Sequence, residues 1–278
     1  NELTSTFSHN VVITSETLRS RFDLAMDDVE FFVSELTERD LVQRITAGER
    51  DYYTIGPRLK EHAENVGFDS QLERKAANGK ISHSDLEDII SIAATKDIIR
   101  YLEQEGYVID LDGEYLVESA LGEFGQHAAH RIEGSVEERF EESKYLLPTA
   151  EFPGVIRSEI EEQFDVLSYA HRVQDDIVEE TKDAVMTRLG LETEDDMVVM
   201  REEFDAFVDQ EARRILGDVK AEADVLPASP PEFEEAAEEH VEVVQVSNTA
   251  RVNEHVRESI ADEFAGVVAE EEFGGVDA

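Results

Sequence analysis

Two histidines stand at a spacing that is compatible with metal binding. His127 and His130 lie three positions apart in a predicted helix, and side chains three apart share one helix face. A zinc site needs three or four protein ligands, and the sequence indicates no third ligand for this pair. The chain contains no cysteine, which excludes disulfides and thiolate metal sites. We therefore expect surface or packing histidines, no metal site and no cofactor.

A short acidic segment faintly resembles a calcium-binding loop. Asp110, Asp112, Gly113 and Glu118 fall within nine positions. A calcium loop requires oxygen ligands at about five regularly spaced positions, and that spacing is absent here. A tight turn between two strands explains the same residues, so we expect no calcium site.

Adjacent carboxylates are the most frequent arrangement that suggests catalysis. Such pairs occur at 27–28, 175–176 and 195–196. In a chain with 67 Asp and Glu residues, acidic pairs arise by chance. No glycine-rich phosphate loop, zinc-protease helix or nucleophile elbow occurs in the sequence. We expect that the protein is not an enzyme and has no catalytic residues.

Basic residues are few, and eight of them are the candidates for contact with nucleic acid or another partner. They lie outside the helices that would normally read DNA. The alternative is that they are scattered solubilising charges that form local ion pairs. The eight residues are Arg19, Arg21, Arg44, Arg50, Arg58, Lys60, Arg213 and Arg214.

The elements that position these residues are clearest in the stretch 79–117. Ser82 followed by Asp85 is a capping-box pattern, which begins a helix directly after a short strand. A second helix follows, with Ile98 and Leu102 on one face. The dipeptide at 112–113, between two strand-like runs, is a strong signal for a β-hairpin. Strand, helix, helix and hairpin in this order predict a winged helix-turn-helix.

The same pattern recurs along the chain. In the first unit Asp27 and Glu30 form a further capping-box pattern, and a hairpin turns around Gly48. Starting strands at Ile13, Ile81 and Ile156 indicate a tandem repeat. We expect a mainly α fold with small β-hairpin wings (α+β), made of three tandem winged helix-turn-helix units and a C-terminal helical tail.

These elements predict four segments in the chain. Winged helix 1 covers 1–66, winged helix 2 covers 67–121, and winged helix 3 with a helical extension covers 122–226. Residues 227–278 are a linker and an acidic helical tail, which begins with three prolines in 227–231 and contains a strand-like run at 241–246. The first residue is Asn1 rather than Met, so we expect a piece of a longer chain.

The charge of the chain is extreme. There are 67 acidic against 25 basic residues, a net charge of −42, although 41% of residues are hydrophobic. Such a surface stays soluble in molar salt, where the screening length is about 3 Å. We expect a cytoplasmic protein of a halophile, of haloarchaeal type; the alternative is an acidic protein that binds basic partners. Apolar runs are too short for a membrane span and nothing at the start resembles a signal peptide, so we expect no contact with a membrane.

The predicted helix before each hairpin is acidic, which disfavours the usual mode of DNA reading. Carboxylates on such a helix repel the phosphates that it would have to approach. In the second unit Lys96 and Arg100 are outnumbered by acidic neighbours. In the first unit the solvent face carries Asp27, Asp28, Glu30, Glu35 and Glu38, and in the third it carries Asp175, Asp176, Glu179 and Glu180.

The order of segments resembles the N-terminal region of the ubiquitin-fold-modifier ligase family. The resembling stretches are 51–57, 79–86, 156–160, 188–190, 203–208 and 212–215. They extend over about residues 1–217 and consist largely of core positions. The resemblance implies consecutive winged-helix repeats, protein–protein docking and contact with the large ribosomal subunit. It transfers no catalytic residue.

Two functions therefore stand as expectations. The first is a non-catalytic tandem winged-helix scaffold that engages a protein or ribonucleoprotein partner, such as the ribosome. The second is a DNA-binding transcription regulator that uses its wings.

Overall fold

The computed structural model describes residues 2–8, 10–60, 62, 66–111, 113–164, 171–222, 238–245 and 250–273. This part of the chain is mainly helical and contains three small antiparallel sheets of three strands each. The order helix, strand, helix, helix, strand, strand occurs three times along the chain. In every sheet the last strand of the repeat lies in the middle.

The first repeat is built from residues 2–55. Its elements are α1 (Glu2–Phe7), β1 (Val12–Thr14), α2 (Ser15–Phe22), α3 (Met26–Glu38), β2 (Val42–Ala47) and β3 (Arg50–Ile55). The hairpin predicted around Gly48 is confirmed, since β2 and β3 pair from Val42–Ile55 to Ala47–Arg50. Gly48 has a φ of 65°, a left-handed conformation that suits glycine.

The second repeat follows a short helix, α4 (Pro57–Lys60). Its elements are α5 (Val66–Lys75), β4 (Lys80–Ser82), α6 (His83–Ile90), α7 (Lys96–Gln104), β5 (Val108–Asp110) and β6 (Glu114–Val117). The predicted hairpin is confirmed by the β5–β6 pairing, although Asp112 of its turn lies outside the described residues.

The third repeat has longer helices. A 3-10 turn (Glu118–Ala120) leads into α8 (Leu121–Glu142), followed by β7 (Leu146–Pro148), α9 (Phe152–Gln163), α10 (His171–Leu189), β8 (Glu192–Glu194) and β9 (Met197–Val199). Beyond it lie α11 (Arg201–Glu222), a helical stretch at 238–242 and α12 (Ala250–Phe273).

The expected starting strand at Ile156 is wrong. Ile156 is a buried residue of α9, and the strand lies ten residues earlier, in β7. Proline usually argues against a strand, but Pro148 ends an edge strand, where a missing N–H is tolerated. The middle residues of the three first strands are therefore 13, 81 and 147, which are spaced more evenly than expected.

One of the two expected capping-box patterns forms a side-chain N-cap. Ser82 accepts a hydrogen bond from the backbone N–H of Asp85 at the start of α6, as predicted. By contrast, α3 begins at Met26 after Ala25, which makes no side-chain cap, so a box at Asp27 and Glu30 is wrong. Asp27 already lies in the first turn, where its charge is favourable at the helix N-terminus without capping.

The chain separates into two compact units. The N-terminal unit consists of Asn1–His127 with Ser168–Glu180 and holds the first two repeats. Residues of both repeats share one hydrophobic core, in which Val12 and Tyr52 of the first sheet join Leu86, Ile98 and other residues of the second repeat. A smaller core inside the first repeat is formed around Phe7, Leu18 and Val33.

The C-terminal unit consists of Ala128–Leu167 with Thr181–Ala278. In its core, α11 packs along α12, with Phe204, Ile215, Val256 and Ile260 buried together. The strand expected at 241–246 is wrong where the structure describes it. Val241 and Glu242 are helical, because Val241 is buried in this helical core and the described residues offer no partner strand.

Candidate partner-binding surface

The eight basic candidate residues are used mainly in ion pairs within the chain. Five of them contact carboxylates of their own unit. These pairs are Arg19–Glu16, Arg44–Asp51, Lys60–Glu105, Arg213–Asp209 and Arg214 with both Glu211 and Asp218. For five of the eight candidates, the alternative of charges that form local ion pairs is therefore what the structure shows.

Three of the candidates remain open to solvent. Arg21 of α2, Arg50 of β3 and Arg58 of α4 are exposed, and none forms an ion pair with a carboxylate that the structure describes. Arg50 stands next to the turn of the β2–β3 hairpin. The three arginines belong to three different elements.

A groove of about 440 Å³ opens on the first repeat between α2, α3 and the β2–β3 hairpin. We call it the α3 groove. Buried Val29 and Val33 of α3 line it together with Tyr53 of β3. Its volume lies in the range of sites that hold a ligand or part of a peptide. The full lining is Ser15, Glu16, Arg19, Met26, Val29, Glu30, Val33, Ser34, Thr37, Arg44, Asp51 and Tyr53.

Both arginines of the α3 groove are neutralised by carboxylates. The Arg44 guanidinium donates to Asp51, which also accepts from the Thr46 hydroxyl at 2.9 Å. This hydrogen bond lowers the pKa of Asp51 and raises the pKa of Arg44. Arg19 holds Glu16 in the same way and lowers the pKa of that carboxyl. Charges that are paired in this way attract an external phosphate only weakly.

The outer surface of α3 combines exposed apolar side chains with carboxylates. Met26 is 73% exposed and Phe31 is 71% exposed, unusual values for such large apolar residues on a helix. Asp27, Asp28 and Glu30 are exposed beside them. Of the acidic residues expected on this face, Glu38 is also exposed, whereas Glu35 is half-buried and pairs with Arg39. Exposed apolar groups among carboxylates suit contact with a protein better than with a phosphate backbone.

The corresponding helix of the second repeat has a broad buried face. Ile98 and Leu102 of α7 lie in a core, as predicted, and Ile99 and Tyr101 are buried in the same core. Tyr101 accepts a hydrogen bond from Thr54 of β3. The opposite face of α7 is exposed and carries Asp97 and Glu103 beside Lys96 and Arg100, and these carboxylates repel a phosphate backbone.

In the third repeat the helix before the hairpin is acidic where its side chains are described. Asp175, Asp176, Glu179 and Glu180 of α10 are exposed, as expected. The side chains of His171 and Arg172 lie outside the described set. The described face therefore resembles α3 in the sign of its charge.

His130 of the histidine pair lies beside a cation and a carboxylate. His130 lies 3.0 Å from Arg188 Nη2, a cation whose charge disfavours a bound metal ion, and 3.5 Å from Glu133. Across the described ranges no group of three or more His, Asp or Glu side chains could hold a metal ion. Within the same ranges no helix is long and apolar enough to cross a membrane.

The sequence did not single out several residues that shape this surface. Phe31 could have been found, because helical periodicity places it outside the stripe formed by Val29, Val33 and Leu36. Met26 lies in line with that stripe and is exposed as the first residue of α3. The bond between Thr54 and Tyr101 had no sequence signal, since 47 positions separate the two residues.

Comparison with known proteins gives no family for the chain: no family model matches it, and no curated protein matches it.

Proposed function

We propose that the chain is a non-catalytic scaffold of three tandem winged-helix units that binds a protein or ribonucleoprotein partner. The repeated element order and the repeated strand order support the winged-helix interpretation. The observation that carries the binding function is the surface of α3, where Met26 and Phe31 are exposed among carboxylates. A helix of this kind repels phosphate and offers apolar area to a protein.

The state of α7 supports the same proposal. In a DNA-reading winged helix this element enters the major groove. Here its exposed face carries Asp97 and Glu103 beside Lys96 and Arg100, a charge pattern that disfavours a phosphate backbone.

Photocrosslinking tests this function directly. We would replace Phe31 with p-benzoylphenylalanine, which keeps the aromatic ring, and irradiate the full chain in a lysate of its source. The matched control carries the same group at Glu73, an exposed residue of α5. We expect protein adducts, identified by mass spectrometry, at position 31 and not at position 73. Recovery of duplex DNA fragments with a shared sequence, and of no protein, would contradict the proposal.

A DNA-binding regulator is the second candidate, because Arg21, Arg50 and Arg58 are exposed and not engaged by a described carboxylate. On this proposal the chain binds labelled duplex DNA in molar KCl, and changing Arg44 and Arg50 to Glu abolishes the binding. Absence of any DNA binding by the unchanged chain rejects this candidate.

A further inference from the structure

The α3 groove has an apolar floor and a wall that carries charged side chains. Val29 and Val33 provide buried apolar surface inside it, and Met26 lies exposed along its lining. An apolar side chain of a partner that packs against Met26 would bury both the Met26 side chain and its own apolar carbons. The groove is therefore built to receive a large apolar residue, and its volume of about 440 Å³ leaves room for a neighbouring side chain.

The charges of the lining are unequal. Arg19 pairs with Glu16 and Arg44 pairs with Asp51, so these four groups cancel within the chain. Glu30 is the fifth charged group of the lining, and it is exposed. In the part of the chain that the structure describes it forms no ion pair, although its field contributes to the raised pKa of Arg44. One negative charge is therefore left over at the wall of the groove.

A neighbouring carboxylate on α3 adds to the negative charge of Glu30. Asp27 is exposed three positions before Glu30, on the same side of α3. An arriving cation would meet these two carboxylates and no free arginine of the groove lining. Opposite charges at an interface favour the correct partner and accelerate its approach.

We propose that the α3 groove binds a basic peptide segment of a partner protein, in which an apolar anchor residue is flanked by Arg or Lys. The anchor packs on Met26, Val29 and Val33, and the flanking cation pairs with Glu30. This inference rests on the proposed function, since it names the partner of the same surface. A second copy of the chain is disfavoured as the occupant, because each copy carries a net charge of −42.

The test is a selection from a random 12-residue peptide library displayed on phage, with the full chain as bait. The selection is done in 1 M KCl, where screening within about 3 Å suppresses the general field of an acidic protein. We expect the enriched peptides to carry Arg or Lys within a few positions of a large apolar residue. An enrichment of acidic peptides, of purely apolar peptides or of no peptides overturns the proposal.

Two matched pairs of variants locate the binding of an enriched peptide. Met26→Ser and Val243→Ser remove similarly exposed apolar side chains, but only Met26 lines the groove. Glu30→Lys and Glu38→Lys make the same charge change on exposed residues of α3, but only Glu30 lines the groove. We expect about a tenfold loss of affinity for Met26→Ser and about a three- to fivefold loss for Glu30→Lys. Both controls should stay within about twofold, because neither residue lines the groove.

The outcomes separate this inference from the proposed function. Equal losses in both members of a pair would mean that the peptide does not use the groove, which overturns the inference. Protein adducts at position 31 would in that case still support protein recognition by α3. If crosslinking there yields only nucleic acid, the proposed function fails, whatever peptides the selection returns.

Discussion

Thr54 of the first sheet donates a buried hydrogen bond to the phenolic oxygen of Tyr101 on α7. Thr54 is 0% exposed and Tyr101 is 9% exposed. Burial raises the pKa of Tyr101, while the bond from Thr54 acts in the opposite direction. An ion pair between Lys60 and Glu105, at 2.5 Å, joins α4, the helix that follows the first repeat, to the second repeat. The first two repeats are thus fixed to each other by polar as well as apolar contacts.

Removing one hydroxyl of this pair should destabilise the protein. In Tyr101→Phe the buried Thr54 hydroxyl loses its partner, which lowers the free energy of unfolding by about 1–2 kcal/mol. Urea unfolding followed by circular dichroism measures the change. The double variant Tyr101→Phe with Thr54→Val leaves no unpaired hydroxyl. Tyr101→Phe should therefore lower the free energy of unfolding clearly less in a Thr54→Val background than in the unchanged chain. An equal cost in both backgrounds would show that the two hydroxyls are not coupled.

The Arg44–Asp51 pair predicts a pH dependence. The pKa of Asp51 is lowered in the folded chain, first by the hydrogen bond from Arg44. A carboxyl with a lowered folded pKa contributes stability above its unfolded value, and that contribution is lost as the pH falls through the folded pKa. In NMR titration Asp51 should titrate below 3.8, the value for a free aspartate.

The variant Arg44→Met provides the control for this titration. Without its guanidinium the pKa of Asp51 should move up toward 3.8. Because the pair is partly exposed, its contribution at neutral pH is only about 0.5 kcal/mol, and it is lost as the pH falls through the lowered pKa of Asp51. An unchanged titration in Arg44→Met would contradict the assigned cause.

The acidity of the chain leads us to propose that folding depends on salt. With 67 acidic against 25 basic residues, the screening length rises from about 3 Å at 1 M salt to about 10 Å at 0.1 M. Repulsion then acts against the compact state. We expect helical ellipticity to fall markedly on dilution to ~0.1 M KCl and to return when salt is added. Constant ellipticity would instead favour the alternative of an acidic surface that serves a basic partner.

The packing of α12 on α11 can be tested at Ile260. This residue is 0% exposed within the core of the C-terminal unit. Ile260→Ala should lower the free energy of unfolding by about 2–4 kcal/mol, since it removes buried methylene groups and leaves a cavity. Glu254→Ala changes an exposed position of the same helix and should stay within about 0.5 kcal/mol. Similar losses for both variants in thermal or urea unfolding would argue against this packing.

Short-range patterns in the sequence were sufficient for several elements. The hairpins, the helix cap at Ser82 and the buried stripe of α7 with Ile98 and Leu102 follow from turn chemistry, capping and periodicity. Each of these depends on interactions among residues a few positions apart, which the sequence displays directly. The same is true of the acidic character of α3, which needs no partner to be recognised.

Other features arose only when distant segments met. The contact of Ile99 and Tyr101 with residues of the first sheet has no local signal in the sequence. Likewise, the ion pair that occupies Arg44 depends on Asp51 being brought opposite it by the hairpin register. The sequence by itself determined the hairpins of the first two repeats, the helix cap at Ser82 and the negative sign of the surface charge. Tertiary structure decided which apolar faces are buried and which charges are left for a partner, because burial and pairing depend on neighbours that only the folded chain supplies.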